Sequence, residues 1–483
     1  MNYLELVRLA LPEIILTVSA LAVLAIGLVN NRVPGFCSGL AAAGLLFAAA
    51  AVLQLPPQAV LSQGMLVVSP LNSLFQIVCL ALAFFTVIVA RPERLANSGE
   101  YLALVLLATV GLLLLIGSEE LLMIFIGLEL TGLSLYVLTA FDRTNQQSAE
   151  AGLKYFLFGS VASAFTLFGI SLLYGLTKTT TLSAIGPQLA GHPLPPLLLV
   201  GIIMTLFGFA FKVAAAPFHL WAPDTYQGAP VSAAAFIASG SKVASFVVLA
   251  KILRTALHEV PGSAAWHALA GGWSPVLAAL AALSIIVGNF TALAQRNVRR
   301  LLAYSAVAHA GYTLLGLIAH STEGFSATLF YTTIYGLTLV GAFGVVAFVR
   351  RENGGDDLAD FAGLSQRSPL LAGCMAIFIL SLAGLPPLAG FFGKFYLFSA
   401  AFRAAPDQGL LWLVALALFG SLISLYYYLI ILKAIFLDDS NTSGFAFRPD
   451  FLQRITLTVF AGAVLFLGVA PEALVNRILA CLV

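Results

Sequence analysis

Four lysines, Lys154, Lys212, Lys242 and Lys394, and one acid, Glu129, interrupt stretches that are otherwise apolar. An ionisable side chain at bilayer depth costs roughly 2.5 to 3.5 kcal/mol even on the lenient insertion scale. Only 9% of the residues are charged, so the chain has few charges to place, and several stand where they are most costly. That placement points to work done with charge. A lysine near a helix end can instead snorkel its ammonium to the headgroups. Snorkelling accounts for Lys154 but fits poorly for lysines deeper in their runs. Lys242 lies in SGSKVASF, where small residues let water or another helix approach closely.

Other polar side chains carry weaker signals. His309 falls mid-helix in AYSAVAHAGY, beside Tyr304, Ser305 and Tyr312. A histidine titrates near neutrality and can bridge lysines in a relay; the plain alternative is a histidine that is merely hydrogen-bonded. Glu150 and Lys154 stand four apart on one helical face, in the favourable order. They read equally as a local surface ion pair or as part of a proton entry. His219 and Asp224 lie in the loop that follows Lys212 and could tune access to it. The four cysteines, Cys37, Cys79, Cys374 and Cys481, have no metal or disulfide spacing and read as packing residues.

These groups must be positioned by membrane helices. The chain is 60% hydrophobic, against about 45–50% apolar in soluble domains. A span needs about 20 apolar residues, and such runs number about fourteen. The fold class is therefore all-α, polytopic and membrane-embedded, one domain over 1–483. The apolar run from Ile14 to Val29 reads as an uncleaved first helix. Helices 1–3 occupy 1–100, a first unit 101–255, a second unit 274–436, and helix fourteen 450–483. The segment Arg350 to Arg367 is expected to be an ordinary loop.

Loop charges orient the bundle. Alternating sides, one face collects Arg32, Arg91, Arg94, Arg143, Arg296, Arg299, Arg300, Arg350, Arg351, Arg367, Lys433, Arg448 and Arg454. The other holds Arg8, Lys178, Lys251, Arg254, Arg403 and Arg477. The richer face should be cytoplasmic, which puts both termini outside. The net charge of +2 is scattered over short loops and gives no reason to expect nucleic acid.

Two helices should be broken. GFAFKVAAAPFHLWAPDTYQGAP, residues 208–230, carries Pro217, Pro223 and Pro230 after Lys212. SLAGLPPLAGFFGKFYLF, residues 381–398, carries Pro386 and Pro387 before Lys394. Proline removes a backbone donor and clashes with the preceding turn. Interrupted backbone at membrane depth is tolerated only inside protein or along a hydrated cavity. A matched pair of such segments, helices seven and twelve, points to two inverted five-helix repeats, helices 4–8 and 9–13.

The strings GLELTGLSLYVLTAF, SAEAGLKYFLFGSVASAF, FKVAAAPFHLWAPDTYQGAP, RLLAYSAVAHAGY and GLPPLAGFFGKF occur in that order. Together they resemble the antiporter-like membrane subunits of proton-pumping NADH–quinone oxidoreductase, respiratory complex I. The wider family includes the large subunits of Mrp-type sodium/proton antiporters. The wording around Glu129 and the lysine on helix twelve resemble the N type, since M-type and MrpD-like members usually carry a glutamate there. The long lateral C-terminal helix of L-type members is not expected.

The resemblance implies roles. Glu129 on helix five would pair with Lys212 on helix seven, and an acid there would stabilise an ammonium that burial disfavours. The alternative is a static buried pair that only fixes packing. Lys242 would be the central relay, His309 a bridge, and Lys394 the group beside the exit. The implied function is proton movement, driven by quinone reduction elsewhere in a bacterial inner-membrane complex with other membrane subunits as partners. The chain has no GxGxxG after a strand, no P-loop and no cysteine cluster, so NADH, FMN, iron–sulfur clusters and quinone are expected in other subunits. Three rivals stand beside this reading: an Mrp-type antiporter subunit, a stand-alone solute carrier, and a scaffold whose lysines are inert.

Overall fold

With no water at bilayer depth, each apolar run must satisfy its backbone internally, and a helix does so. The computed structural model describes residues 3–29, 34–90, 97–190, 195–404, 409–439 and 450–482. Of the loop charges used for orientation, Arg32, Arg91, Arg94 and Arg448 lie outside the described residues. The first helices are α1 (Tyr3–Leu9), α2 (Leu11–Val29) and α3 (Pro34–Leu53). A hairpin follows, with β1 (Ala59–Leu61) antiparallel to β2 (Leu66–Val68) and Val60 opposite Val67. Gly64 at its turn has φ 97, which suits glycine, and its carbonyl accepts from the Glu119 amide at 2.8 Å.

The chain continues through α4 (Pro70–Ala90), α5 (Ser98–Gly117), α6 (Leu121–Thr139), α7 (Gln146–Thr177), α8 (Leu182–Leu189) and α9 (Pro196–Lys212). Then come α10 (Trp221–Gly228), α11 (Val231–Phe236) and α12 (Lys242–Lys251), the last flanked by π-helical turns at Ile237–Ser241 and Ile252–Ala256. The second half holds α13 (Trp273–Leu293), α14 (Val298–Ile318), α15 (Thr322–Asn353), α16 (Leu364–Arg367) and α17 (Pro369–Ala383). It ends with α18 (Ala389–Arg403), α19 (Leu411–Phe436), α20 (Phe451–Val469) and α21 (Glu472–Leu482).

Twelve helical segments among the described residues are long and apolar enough to cross a membrane, and α9 and α17 are shorter apolar helices. The chain is an all-α multi-pass membrane protein. The two short helices are the ones that stop at the predicted breaks, α9 at Lys212 and α17 before Gly384. Segment Val231–Ala256 is completely enclosed, and α14 and α15 nearly so, whereas α2 and α7 turn apolar side chains outward. Of the relay candidates, Lys242 and His309 sit on these most enclosed elements.

Two expectations need correction. Lys251, counted with the loop charges, is buried at the end of α12. The region 350–367 is no loose loop: α15 runs to Asn353, and Asp356 behind it is buried against Arg299 and Arg350.

Candidate proton-relay axis

The first break holds Lys212 in place. Helix α9 ends there; Ala214 takes a positive φ of 58 and Pro217 withholds a donor. The loose backbone finds partners across the bundle. Ala216 donates to Ser284 Oγ on α13 at 2.8 Å, and the Trp221 indole donates to the Phe211 carbonyl at 3.0 Å. Lys212 Nζ donates to the Leu128 carbonyl of α6 at 3.4 Å and lies 5.7 Å from the Tyr136 ring centroid. The notch that admits it is Gly132, where a Cβ would stand 2.8 Å from Nζ.

Glu129 is one residue from that carbonyl, yet it makes no direct ion pair with Lys212. Its carboxylate accepts instead from the Ser163 hydroxyl on α7. The two groups share a neighbourhood without touching. Among the described residues, the acid contacts of buried membrane lysines are found elsewhere, as at Lys251 and Glu119.

Lys242 opens α12 after a π-helical turn, a distortion that re-aims a side chain out of the regular ladder. Its Nζ donates to the Ala306 carbonyl on α14 at 2.9 Å and lies 5.5 Å from the Tyr335 ring centroid. His309, one turn along α14 from Ala306, has a hydroxyl at each ring nitrogen. Nδ1 is 2.6 Å from Tyr331 Oη and Nε2 is 3.0 Å from Tyr428 Oη, and Tyr428 also bonds Ser305. A neutral imidazole donates from one nitrogen and accepts at the other, so this ring can take a proton on one side and give one on the other.

At the second break Gly384 caps α17 with φ 84, and the freed Ala383 carbonyl accepts from Lys394 Nζ at 3.1 Å. Ser421 Oγ on α19 accepts at the same distance, and Nζ lies 5.3 Å from the Tyr312 ring centroid. Tyr312 Oη accepts from Asn289 at 2.9 Å, and Asn289 in turn accepts from Tyr427. A side cavity of about 410 Å³ between α18 and α19 reaches Lys394.

Lys212, Lys242 and Lys394 are only 6%, 2% and 5% exposed, and His309 2%. Four of the predicted residues are thus buried and Glu129 is half-buried beside them, and the five fall in two groups. Lys242, His309 and Lys394 gather around α14, Lys242 at the Ala306 carbonyl and Lys394 over the Tyr312 ring; Glu129 and Lys212 form their own group between α6, α7 and α9.

Glu150 and Lys154 lie elsewhere, on the arginine-rich face. Lys154 Nζ is 2.6 Å from Glu150 and 2.7 Å from Asp224, whose other oxygen is 2.6 Å from Arg300. A small polar cleft of about 130 Å³ opens beside Glu150 and Asp224. His219 is buried and faces Tyr304 at 6.3 Å between ring centroids. The sequence reading missed Ser163, Tyr331 and Tyr428. The run SLISLYYYLIILK in α19 carried a signal, since tyrosine hydroxyls in a buried helix need partners. Among the described residues no group of three or more His, Cys, Asp or Glu could hold a metal ion.

Comparison with known proteins fits this geometry. A model of the NADH:quinone oxidoreductase/Mrp antiporter transmembrane family matches residues 118–424. That stretch contains all seven predicted site residues. The chain belongs to this family. Within it the chain is of the subunit N type: NADH-quinone oxidoreductase subunit N 2 of Acidobacterium capsulatum is 48% identical over 98% of this chain and 99% of that one. A chain of respiratory complex I from Thermus thermophilus with bound aureothin aligns with a TM-score of 0.79 and 34% identity, over 96% and 98% of the two chains. A chain of the Mrp complex from Dietzia shares the fold, with a TM-score of 0.82 at 20% identity over 100% and 97%.

Proposed function

We propose that this N-type subunit moves protons for an NADH–quinone oxidoreductase, using Glu129, Lys212, Lys242, His309 and Lys394 as stations of a buried relay. The observation that carries this reading is the set of three lysines, all at most 6% exposed, whose ammonium groups meet carbonyls and hydroxyls and no bonded carboxylate. A buried cation without a paired acid is costly, so its charge is readily switched by a neighbour. Energy released at a quinone site in other subunits would shift these charge states in turn. The chain itself is expected to hold no redox centre; its enzymatic role is that of one subunit in a proton-translocating assembly with other membrane subunits.

Glu150 and Lys154, with Asp224 and Arg300, would serve the loading side. The positive-inside bias puts that face in the cytoplasm of a bacterium, with both termini in the periplasm. Two inverted repeats, helices 4–8 and 9–13 of fourteen, would set the breaks at Lys212 and Lys394 in matching positions. An Mrp-type antiporter is the second reading on the same fold, and the lysine at position 394 weighs against it.

The test is turnover and proton uptake in vesicles of the intact complex. Lys212→Ala and Glu129→Gln should each leave assembly intact while lowering quinone reduction and pumping together, by about tenfold, equivalent to about 1.4 kcal/mol on the coupled step. Wild-type rates in both variants would make the buried lysine structural and the relay wrong.

A further inference from the structure

Glu129 has two places to go. In the first, seen here, its carboxylate accepts from the Ser163 hydroxyl on α7. The second is the notch over Gly132, one turn along the same face of α6. There a glycine Cβ would meet Lys212 Nζ at 2.8 Å and the Tyr136 hydroxyl at 3.2 Å, so both groups face one small space. Neither is well satisfied. Lys212 has one long hydrogen bond, 3.4 Å, to a backbone carbonyl. The Tyr136 hydroxyl is buried and has no hydrogen-bond partner. Both lie within the electrostatic reach of Glu129. Two buried donors without a good acceptor, beside a carboxylate held elsewhere by one hydroxyl, describe a site waiting for that carboxylate.

We propose that Ser163 is a positioning residue of the relay: its hydroxyl holds Glu129 off Lys212, so that pairing proceeds as an exchange of partners. Leaving Ser163 costs Glu129 one hydrogen bond to a charged group, and arrival at the notch supplies two, from Nζ and from Tyr136. With Lys212 neutral the notch offers the carboxylate little more than the Ser163 hydroxyl does, and with Lys212 charged it offers more, so the charge on Lys212 tips Glu129 between them. With alanine at position 163 the first position loses its donor, and Glu129 stays on the ammonium. Threonine keeps a hydroxyl at the same place.

This rests on the relay reading above, and the experiment separates the two. Intact complexes carrying Ser163→Ala, Ser163→Thr and Glu129→Gln are compared by proton uptake and by infrared difference spectra of the carboxyl region, with the Glu129→Gln spectrum assigning the Glu129 band. The inference expects Ser163→Ala to shift that band toward an ion-paired carboxylate and to lower pumping about fivefold, with Ser163→Thr close to wild type in both. If Glu129→Gln lowers pumping about tenfold while Ser163→Ala leaves band and rate unchanged, Ser163 has no positioning role and the relay stands. A low pumping rate in Ser163→Ala with an unmoved band makes its role one of packing and likewise overturns the inference. If Glu129→Gln itself pumps normally, the relay reading falls and this inference with it.

Discussion

Arg299 and Lys242 are buried equally, 1% and 2% exposed, but they keep different company. Arg299 meets Asp356, which also takes Arg350 at 2.8 Å, and its Nη1 donates to the Ala229 carbonyl at 2.8 Å. On the same face Asp224 joins Lys154 to Arg300, and so ties α7 to α14. Lys242 has a carbonyl and an aromatic ring, and Lys394 a carbonyl and a hydroxyl. On the arginine-rich face, Lys154, Arg299, Arg300 and Arg350 are cations neutralised by acids. The axis is built of cations left to hydroxyls and carbonyls. Compensated charge fixes helices in place, because breaking the pair strands an ion; uncompensated charge is free to change.

If that contrast is right, removing an acid from the first region should damage structure, and adding one to the second should damage function. Asp356→Asn leaves Arg299 buried without its counter-ion, a loss of about 3–5 kcal/mol. Assembled complex and its thermal midpoint should both drop, and by more than in any of the relay variants. The pH dependence has a definite sign. Burial pushes the Asp356 carboxyl up, but Arg299 and Arg350 outweigh it and hold the carboxyl below the ordinary value. Its contribution is therefore complete above about pH 4, the ordinary carboxylate range, and fades as pH falls through the depressed value. The stability gap between wild type and variant should be flat from about pH 5 to 8 and narrow only in stronger acid. A gap that closes near neutrality would show that Asp356 is not the paired acid.

The reverse experiment is Ser421→Asp. Its oxygen would replace a hydroxyl 3.1 Å from Lys394 Nζ with a carboxylate, giving the lysine of the second break a bonded acid. A fixed neighbouring anion holds an ammonium charged. Turnover and pumping should fall about fivefold, or about 1 kcal/mol on the coupled step, with assembly preserved. Ser421→Asn, similar in size and neutral, should stay near wild type. Equal losses in both variants would point to packing and remove the charge argument.

The contrast was partly legible in the chain. Proline and glycine act on the backbone locally, so both breaks were readable at Pro217 and at Gly384 to Pro387. Buried lysines declare themselves by the apolar residues around them. Partners do not. Glu129 and Lys212 are neighbours, but which hydrogen bond the carboxylate makes depends on Ser163 of another helix. Lys251 read as a loop charge because it stands near the end of an apolar run. It is instead enclosed by Asn72 and the Ile116 and Ser118 carbonyls, each at 2.9 or 3.0 Å. The buried acid at Asp356 was hidden in a polar stretch that resembles any surface loop. Composition reports depth along one helix; the facing residues come from packing.

The mildest prediction concerns the notch itself. Gly132→Ala adds one carbon 2.8 Å from Lys212 Nζ, too close for van der Waals contact, and the lysine end must move. A flexible side chain yields at small cost, so assembly should be unaffected. What changes is geometry: Nζ is pushed from the Leu128 carbonyl, already a long 3.4 Å, and from the space Glu129 would enter. Coupled pumping should fall about two- to threefold, roughly 0.5 kcal/mol, because one methyl group perturbs the approach without removing either charge. The same substitution at Gly373, where a Cβ would meet nothing within 4 Å, should change neither assembly nor rate. A large loss at Gly132 with misassembly would mark the notch as helix packing, and no loss at all would mean that Lys212 works from a position other than the one seen here.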